Sequence, residues 1–272
     1  DNLLMGLRLG SEQKVAVTTT PRPVPLVERL LKQEESGATV VTRGSTLDNK
    51  ANLPDRFLSA IEAEFAGSRL ARQEIGGELV RDIEGALWQR AVIEDSRESG
   101  ECPSPRRVVV AVDPPASASG DECGIIVASL GTDGLARVLA DCSIGSAGPE
   151  RWADAVAVAA EGWEADRVVA EANQGGSMVE AVLRAADRKL PLRLVHASRG
   201  KGARAEPVAA LYAAGRVRHR GVFARLEDQL CGMMAGGDYA GPGRSPDRAD
   251  ALVWALTELM LSRAGRPRVR QV

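Results

Sequence analysis

Aromatic side chains make up 3% of the 272 residues, and histidine occurs twice. So few rings argue against a surface that stacks many nucleobases. The four cysteines, Cys102, Cys123, Cys142 and Cys231, form no Cys-x-x-Cys pair. With only His196 and His219 to join them, a zinc site is not expected, and reduced thiols in a cytosolic protein are the simple reading. No apolar run reaches transmembrane length and no signal peptide opens the chain. A Gly-x-x-x-x-Gly-Lys-Ser/Thr phosphate loop is also missing. The formal net charge of -2 excludes a polybasic, histone-like DNA binder. It leaves room for a local basic groove.

What is present divides near residue 94. Before it, Lys14–Thr20 and Ala38–Thr42 read as short β-branched strands. Leu26–Leu31, a stretch opened at Asn52–Asp55, and Arg69–Ile75 have helical spacing, the last broken by Gly76-Gly77. Residues 94–106, charged and then proline-bearing, read as a linker. Beyond it the rhythm changes. Arg107–Asp113 is an unbroken apolar run ending in an acid, as suits a strand buried on both faces. Gly124–Leu130 and Ala136–Ala140 form a hairpin. Helix Pro149–Gly162, strand Arg167–Glu171, helix Gly175–Lys189, strand Leu192–Ala197 and helix Pro207–Ala214 follow. A last helix spans Ser245–Ser262, with Ser245 as cap and Pro246 as first helical residue. This order predicts an α/β fold, a mixed sheet with helices on its faces.

Three acids stand where such a fold can gather them. Asp113 and Glu171 each end an apolar strand. Asp250 lies one turn into the last helix, three residues after Asp247 on one face. If the two strands are adjacent and parallel, their ends bring Asp113 and Glu171 together, and the helix can deliver Asp250. Clustered carboxylates repel unless cations neutralise them, and a pair of hard ions such as Mg²⁺ or Mn²⁺ does so. Taken singly, an acid at a strand end is most often a solvated loop residue, and Asp247 suits the helix dipole. Arg199, Lys201 and Arg204 lie in a glycine-rich stretch read as a loop, which can track a DNA backbone or face solvent. Arg216, Arg218, His219 and Arg220 form a second basic cluster. Gly175-Gly176-Ser177 can meet a phosphate or make a tight turn. Trp152, Trp163 and Trp254 read as core. Cys123 and Cys142 face each other across the hairpin, without an assigned function. Pro114 and Pro115 cannot donate N–H groups, which argues against a nucleotide-binding α/β fold.

Four stretches resemble the large terminase subunit of tailed phages and gene transfer agents. Val15–Pro21 is similar to the ATPase coupling motif, and Arg72–Leu79 to the Gln-Glu-x-x-Gly-Glu segment that closes the ATPase region. Val110–Pro114 with Gly120-Asp121 is similar to the first nuclease motif, and Asp247–Leu252 to the final Asp-x-x-Asp-Ala motif. The resemblance implies a ribonuclease H-like nuclease at 107–265, with a tail at 266–272. It implies that residues 1–93 are only the closing part of a P-loop ATPase domain, unable to hydrolyse ATP. Asp113, Glu171 and Asp250 then match the catalytic metal-binding acids, with Asp247 and Asp121 as auxiliary acids. The implied cofactor is Mg²⁺ or Mn²⁺ in a two-metal site. The implied partners are double-stranded DNA, a portal protein and a small terminase subunit, in the cytoplasm of a bacterial host. A resolvase- or integrase-type nuclease shares the acid layout but lacks the first two stretches. A non-catalytic docking module of the motor is the other alternative.

Overall fold

Alternate residues of the run 108–113 face opposite ways, so a wholly apolar strand needs a layer on each side. The computed structural model, which describes residues 13–65, 68–115, 122–145, 148–173 and 176–262, supplies both layers. Strand β1 (Pro105–Asp113) is followed by β2 (Gly124–Gly131), β3 (Ala136–Asp141), β4 (Arg167–Glu171), β5 (Leu192–Val195) and β6 (Val217–His219). They form one sheet in the order β5-β4-β1-β2-β3-β6. β1 pairs antiparallel with β2 and parallel with β4; β3–β6 and β4–β5 are also parallel.

Val108, Val110 and Val112 face a layer made by helices Pro149–Gly162 and Gly176–Ala186. Each such buried valine contributes roughly 1.5–3 kcal/mol. Val109 and Ala111 face the helix Asp247–Leu256 and the π-helical turn Thr257–Leu261 that extends it. On that side helices Lys201–Ala213 and Ala224–Leu230 pack beside β2, β3 and β6 around Leu226, Leu230 and Leu252. The β2–β3 hairpin is the one expected, and β1 and β4, whose adjacency would bring Asp113 and Glu171 together, are indeed adjacent and parallel. β6 is unexpected: its short basic sequence reads as surface, yet His219 is buried and donates its backbone N–H to Ser96 at 2.9 Å. Trp163, expected in the core, is 40% exposed just past its helix end, whereas Trp152 is buried. Cys123 and Cys142 are free thiols lining one core cluster; Cys123 pairs through its backbone with Ile144.

The chain separates into two compact sets of residues, 1–60 with 70–81, and 61–69 with 82–272. The division falls ahead of the 94–106 stretch. In the second set Trp88, Ile93 and Ser96 are buried, Arg97 pairs with Glu227, and Glu98 pairs with Arg137. The first set has no strand among its described residues. Lys14–Thr20 and Ala38–Thr42 have the composition of strands but form none there; the Ala38 and Thr39 amides donate to the Gln33 carbonyl, and Val17 and Val40 are exposed. Helix Pro25–Glu35 forms as its spacing predicts, started by Pro25. Gly77 takes a φ of +65°, with a Cβ there 2.8 Å from the Gly44 carbonyl oxygen, so Gly76-Gly77 ends the helix Arg69–Glu74 in a turn that only glycine fits.

Numbered in chain order, the helices are α1 (Pro25–Glu35), α2 (Asp55–Phe65), α3 (Arg69–Glu74), α4 (Arg90–Asp95), α5 (Pro149–Gly162), α6 (Gly176–Ala186), α7 (Lys201–Ala213), α8 (Ala224–Leu230) and α9 (Asp247–Leu256).

Candidate active site

The parallel pairing of β1 and β4 runs in register to Val112 opposite Ala170. The next residue on each strand is an acid, Asp113 and Glu171, so both stand at one end of the sheet. Asp113 shares the face of Val109 and Ala111, which α9 covers. The first turn of α9 carries Asp247 and Asp250, both buried. Its start lies against the sheet: a Cβ on Gly124, the first residue of β2, would sit 2.0 Å from the Asp247 carbonyl oxygen. Only glycine lets the two backbones meet there.

The cap of this helix differs from expectation. Pro246 holds the N-cap position and offers no side-chain acceptor. Ser245 is not the cap, because its hydroxyl accepts a hydrogen bond from Lys201 Nζ at 3.0 Å. The orphan amides of Arg248 and Ala249 donate instead to Gln229 Oε1, at 2.8 and 3.2 Å.

Lys201 and Arg204, expected in a loop, are helical. Helix α7 begins at Lys201, six residues before Pro207, where the sequence suggests a start, because that proline is tolerated inside the helix. The two cations therefore lie near one helical face, three residues apart. Lys201 Nζ is 2.6 Å from Asp250 Oδ2; Arg204 reaches Glu171 at 3.1 Å and Asp250 at 3.6 Å. Arg199, in the bend before α7, is exposed and joins none of these pairs. Asp121, with Gly120, lies outside the described residues.

Glu171 is the most firmly held acid. It accepts from Trp254 Nε1 at 2.5 Å and from Asn173 Nδ2 at 2.6 Å, besides the Arg204 contact. Asn173 is itself fixed by the Ala197 amide at 2.7 Å, and the Arg204 guanidinium lies 4.9 Å over the Trp254 ring. Asp250 differs: both its oxygens are buried without a well-formed hydrogen bond, so its compensation is ionic. Burial raises the pKa of Asp250, an effect that Lys201 and Arg204 oppose. Asp113 is pushed well above the usual carboxylate range, first by burial and then by the negative charges of Asp250, Glu171 and Asp247.

Trp254 is thus more than the core residue it reads as. Its position four residues after Asp250, on the same face, is the available signal. Asn173 and Gln229 carry none, since a lone amide in a sequence has no pattern.

Asp113, Glu171, Asp247 and Asp250 bring four negative charges to the site when ionised, against two positive charges from Lys201 and Arg204. Among the described residues no three acid, histidine or cysteine side chains form a ready-made coordination set; two cationic side chains share the space with the acids. The donor chemistry nevertheless fits a hard divalent cation: the acidic groups are carboxylates, one of them buried without hydrogen bonds, and negative charge is in excess.

A mixed sheet with helices on both faces and acids at the ends of two adjacent parallel strands defines a ribonuclease H-like fold. The family model for the terminase ribonuclease H-like domain matches residues 110–259, more than half of the chain. The chain belongs to that family, that of the nuclease portion of large terminases. Among solved structures it is similar to the large terminase nuclease of thermophilic phage G20c, at 16% identity and a TM-score of 0.50, over 64% of this chain and 98% of that one. It is also similar to the large terminase of another thermophilic bacteriophage in complex with ADP, at 11% identity and a TM-score of 0.50, over 84% of this chain and 58% of that one. No curated protein sequence matches the chain.

Proposed function

We propose that this protein is the metal-dependent endonuclease of a DNA-packaging terminase, and that Asp113, Glu171 and Asp250 hold its Mg²⁺ or Mn²⁺ ions. The observation that supports this most directly is the convergence of Asp113 and Glu171, at adjacent strand ends, with Asp247 and Asp250 on the first turn of α9, against the two cations Lys201 and Arg204. A bound pair of such ions supplies Lewis-acid polarisation of the phosphodiester and an activated water.

The chain's own residues divide the remaining work. Asp113, at the end of β1 between the other strands, would contribute its carboxylate to the metal site. Glu171 is oriented by Trp254, Asn173 and Arg204, so its carboxylate presents a fixed edge. Asp250 is presented by the rigid first turn of α9, with Asp247 as auxiliary. Lys201, whose side chain is 41% exposed, pairs with Asp250 and is free enough to turn onto a DNA phosphate. Arg204 and the exposed Arg199 extend the same positive edge. Asp121 is proposed as a further auxiliary acid.

The substrate is double-stranded DNA, contacted mainly through phosphates, since no recognition element for bases is evident. In the assembled motor the proposed partners are a portal protein and a small terminase subunit, and the setting is the bacterial host cytoplasm. The first compact set of residues, which ends at Arg81, is proposed as the closing part of an ATPase domain.

Plasmid nicking tests the reading. Cleavage is expected with Mg²⁺ or Mn²⁺, with scattered cut ends and binding that weakens steeply with salt. Cutting that persists in chelator would overturn it, and so would a sharp consensus at the cut ends. Metal-dependent cutting also separates this reading from a docking module that carries the acids without using them.

A further inference from the structure

The first turn of α9 delivers Asp250, yet nothing in its own segment caps it. The Asp250 amide makes the first internal bond of the helix, to the Pro246 carbonyl at 2.8 Å. Arg248 N and Ala249 N depend on a side chain nineteen and twenty residues upstream, the Oε1 of Gln229. Gln229 is buried, and its helix α8 is immobilised by its neighbours in sequence. Glu227 accepts from Arg97 at 2.9 and 2.8 Å, from Arg90 at 3.2 Å and from the Phe223 amide at 2.9 Å. Asp228 accepts from Arg90 and from the Arg69 amide. Arg248 fixes the same turn from the side, its Nε on Glu122 and one terminal nitrogen on Asp141, both at 2.6 Å.

We infer that Gln229 is a positioning residue for Asp250: it sets the height and rotation of the first turn of α9, and through them the carboxylate that faces Asp113 and Glu171. The inference rests on the reading of Asp250 as a metal ligand. The two amides it holds belong to the residues immediately before Asp250. Losing the cap frees that turn to fray. The Asp250 side chain is held by its ion pairs with Lys201 and Arg204. Backbone position therefore sets where this carboxylate meets those two cations and the other acids, whereas Glu171 is tied by Trp254, Asn173 and Arg204. Residues that orient a metal ligand are commonly worth about 10- to 100-fold in metal affinity.

The test compares Gln229→Met, which keeps length and bulk but has no oxygen acceptor, with Gln229→Glu, which keeps the acceptor. Mn²⁺ affinity is measured by calorimetry on the whole chain, and exchange of the Arg248 and Ala249 amides by hydrogen–deuterium NMR. Val156→Ala, on the opposite face of the sheet, serves as a control for general destabilisation. The expected result is that Gln229→Met weakens Mn²⁺ binding by about tenfold or more, speeds exchange at both amides, and does so well beyond Val156→Ala. Gln229→Glu should restore the amide protection. Folded Gln229→Met with wild-type Mn²⁺ affinity would overturn the inference, and so would an equal loss in Val156→Ala. Failure of the wild type itself to bind Mn²⁺ would overturn the metal reading, and this inference with it, whatever the variants do.

Discussion

Asp113 and Glu227 are carboxylates of the same folded unit, yet their surroundings drive them in opposite directions. Burial acts against the charge of both. At Glu227 the His219 ring and the Arg97 guanidinium outweigh burial and hold the pKa down at about 2. At Asp113 the neighbours are Asp250, Glu171 and Asp247, which add to burial, and only Lys201 opposes them. Glu227 is wholly buried and hydrogen-bonded on every side; it behaves as a structural tie between α8 and the segment from Arg90 to Arg97. The Asp113 cluster is short of positive charge as it stands. A fold that can satisfy one buried acid so fully, and leaves another so open to repulsion, points to the second as the place for an added cation.

The largest expected effects break the comparison on the catalytic side. Asp250→Asn should take plasmid cleavage below detection while circular dichroism stays native. Asp247→Asn should reduce cleavage only by about 10- to 100-fold, as an auxiliary group does. The reverse ranking, with both variants folded, would show that α9 presents the other acid to the metals.

Breaking the structural side should cost stability instead. Glu227→Gln leaves the half-buried Arg97 and Arg90 with Glu94 and Asp228 as their remaining carboxylates. A loss of about 1.5–3 kcal/mol in urea unfolding is expected.

A smaller effect sharpens the same contrast through pH. Because the Glu227 pKa is lowered in the folded state, the unfolded chain binds the extra proton between about 4.5 and about 2. Stability is then present above that window and lost as pH falls through it, by on the order of 3 kcal/mol. Denaturation curves across that range should show this fall in the wild type, and a flatter profile in Glu227→Gln.

Much of the site's frame is legible in the amino-acid order alone. An acid at the end of each apolar run places Asp113 and Glu171 at strand ends, though whether β1 and β4 are adjacent is settled only by the folded sheet. The helix bearing Asp250 shows in its spacing. Features that depend on a partner elsewhere in the chain are harder to read. Ser245 has the residue type of a cap but bonds Lys201, and the cap comes from Gln229, in another helix. Pro207 reads as a helix start because local sequence cannot show that α7 accommodates it in its second turn. β6 is three residues long and basic, and its burial rests on His219 meeting Tyr212 and Glu227, residues of two other helices. Lys14–Thr20 errs the other way: β-branched composition is a local property, whereas a ladder needs a second strand.

The claim that the acid cluster is built for metal is tested most directly by the thermal stability of Asp113→Asn, with and without Mn²⁺. In the metal-free protein the raised Asp113 pKa means that the folded state holds its proton more tightly than the unfolded one. Ionisation at this site therefore lowers stability as pH rises above the usual carboxylate range, and the asparagine removes that cost. At neutral pH in chelator the variant should melt at or above the wild-type temperature. Saturating Mn²⁺ should raise the wild-type midpoint by about 5 °C or more, as a ligand present far above its Kd does, and should move the variant little. A variant less stable than wild type in chelator, and raised equally by Mn²⁺, would contradict the account.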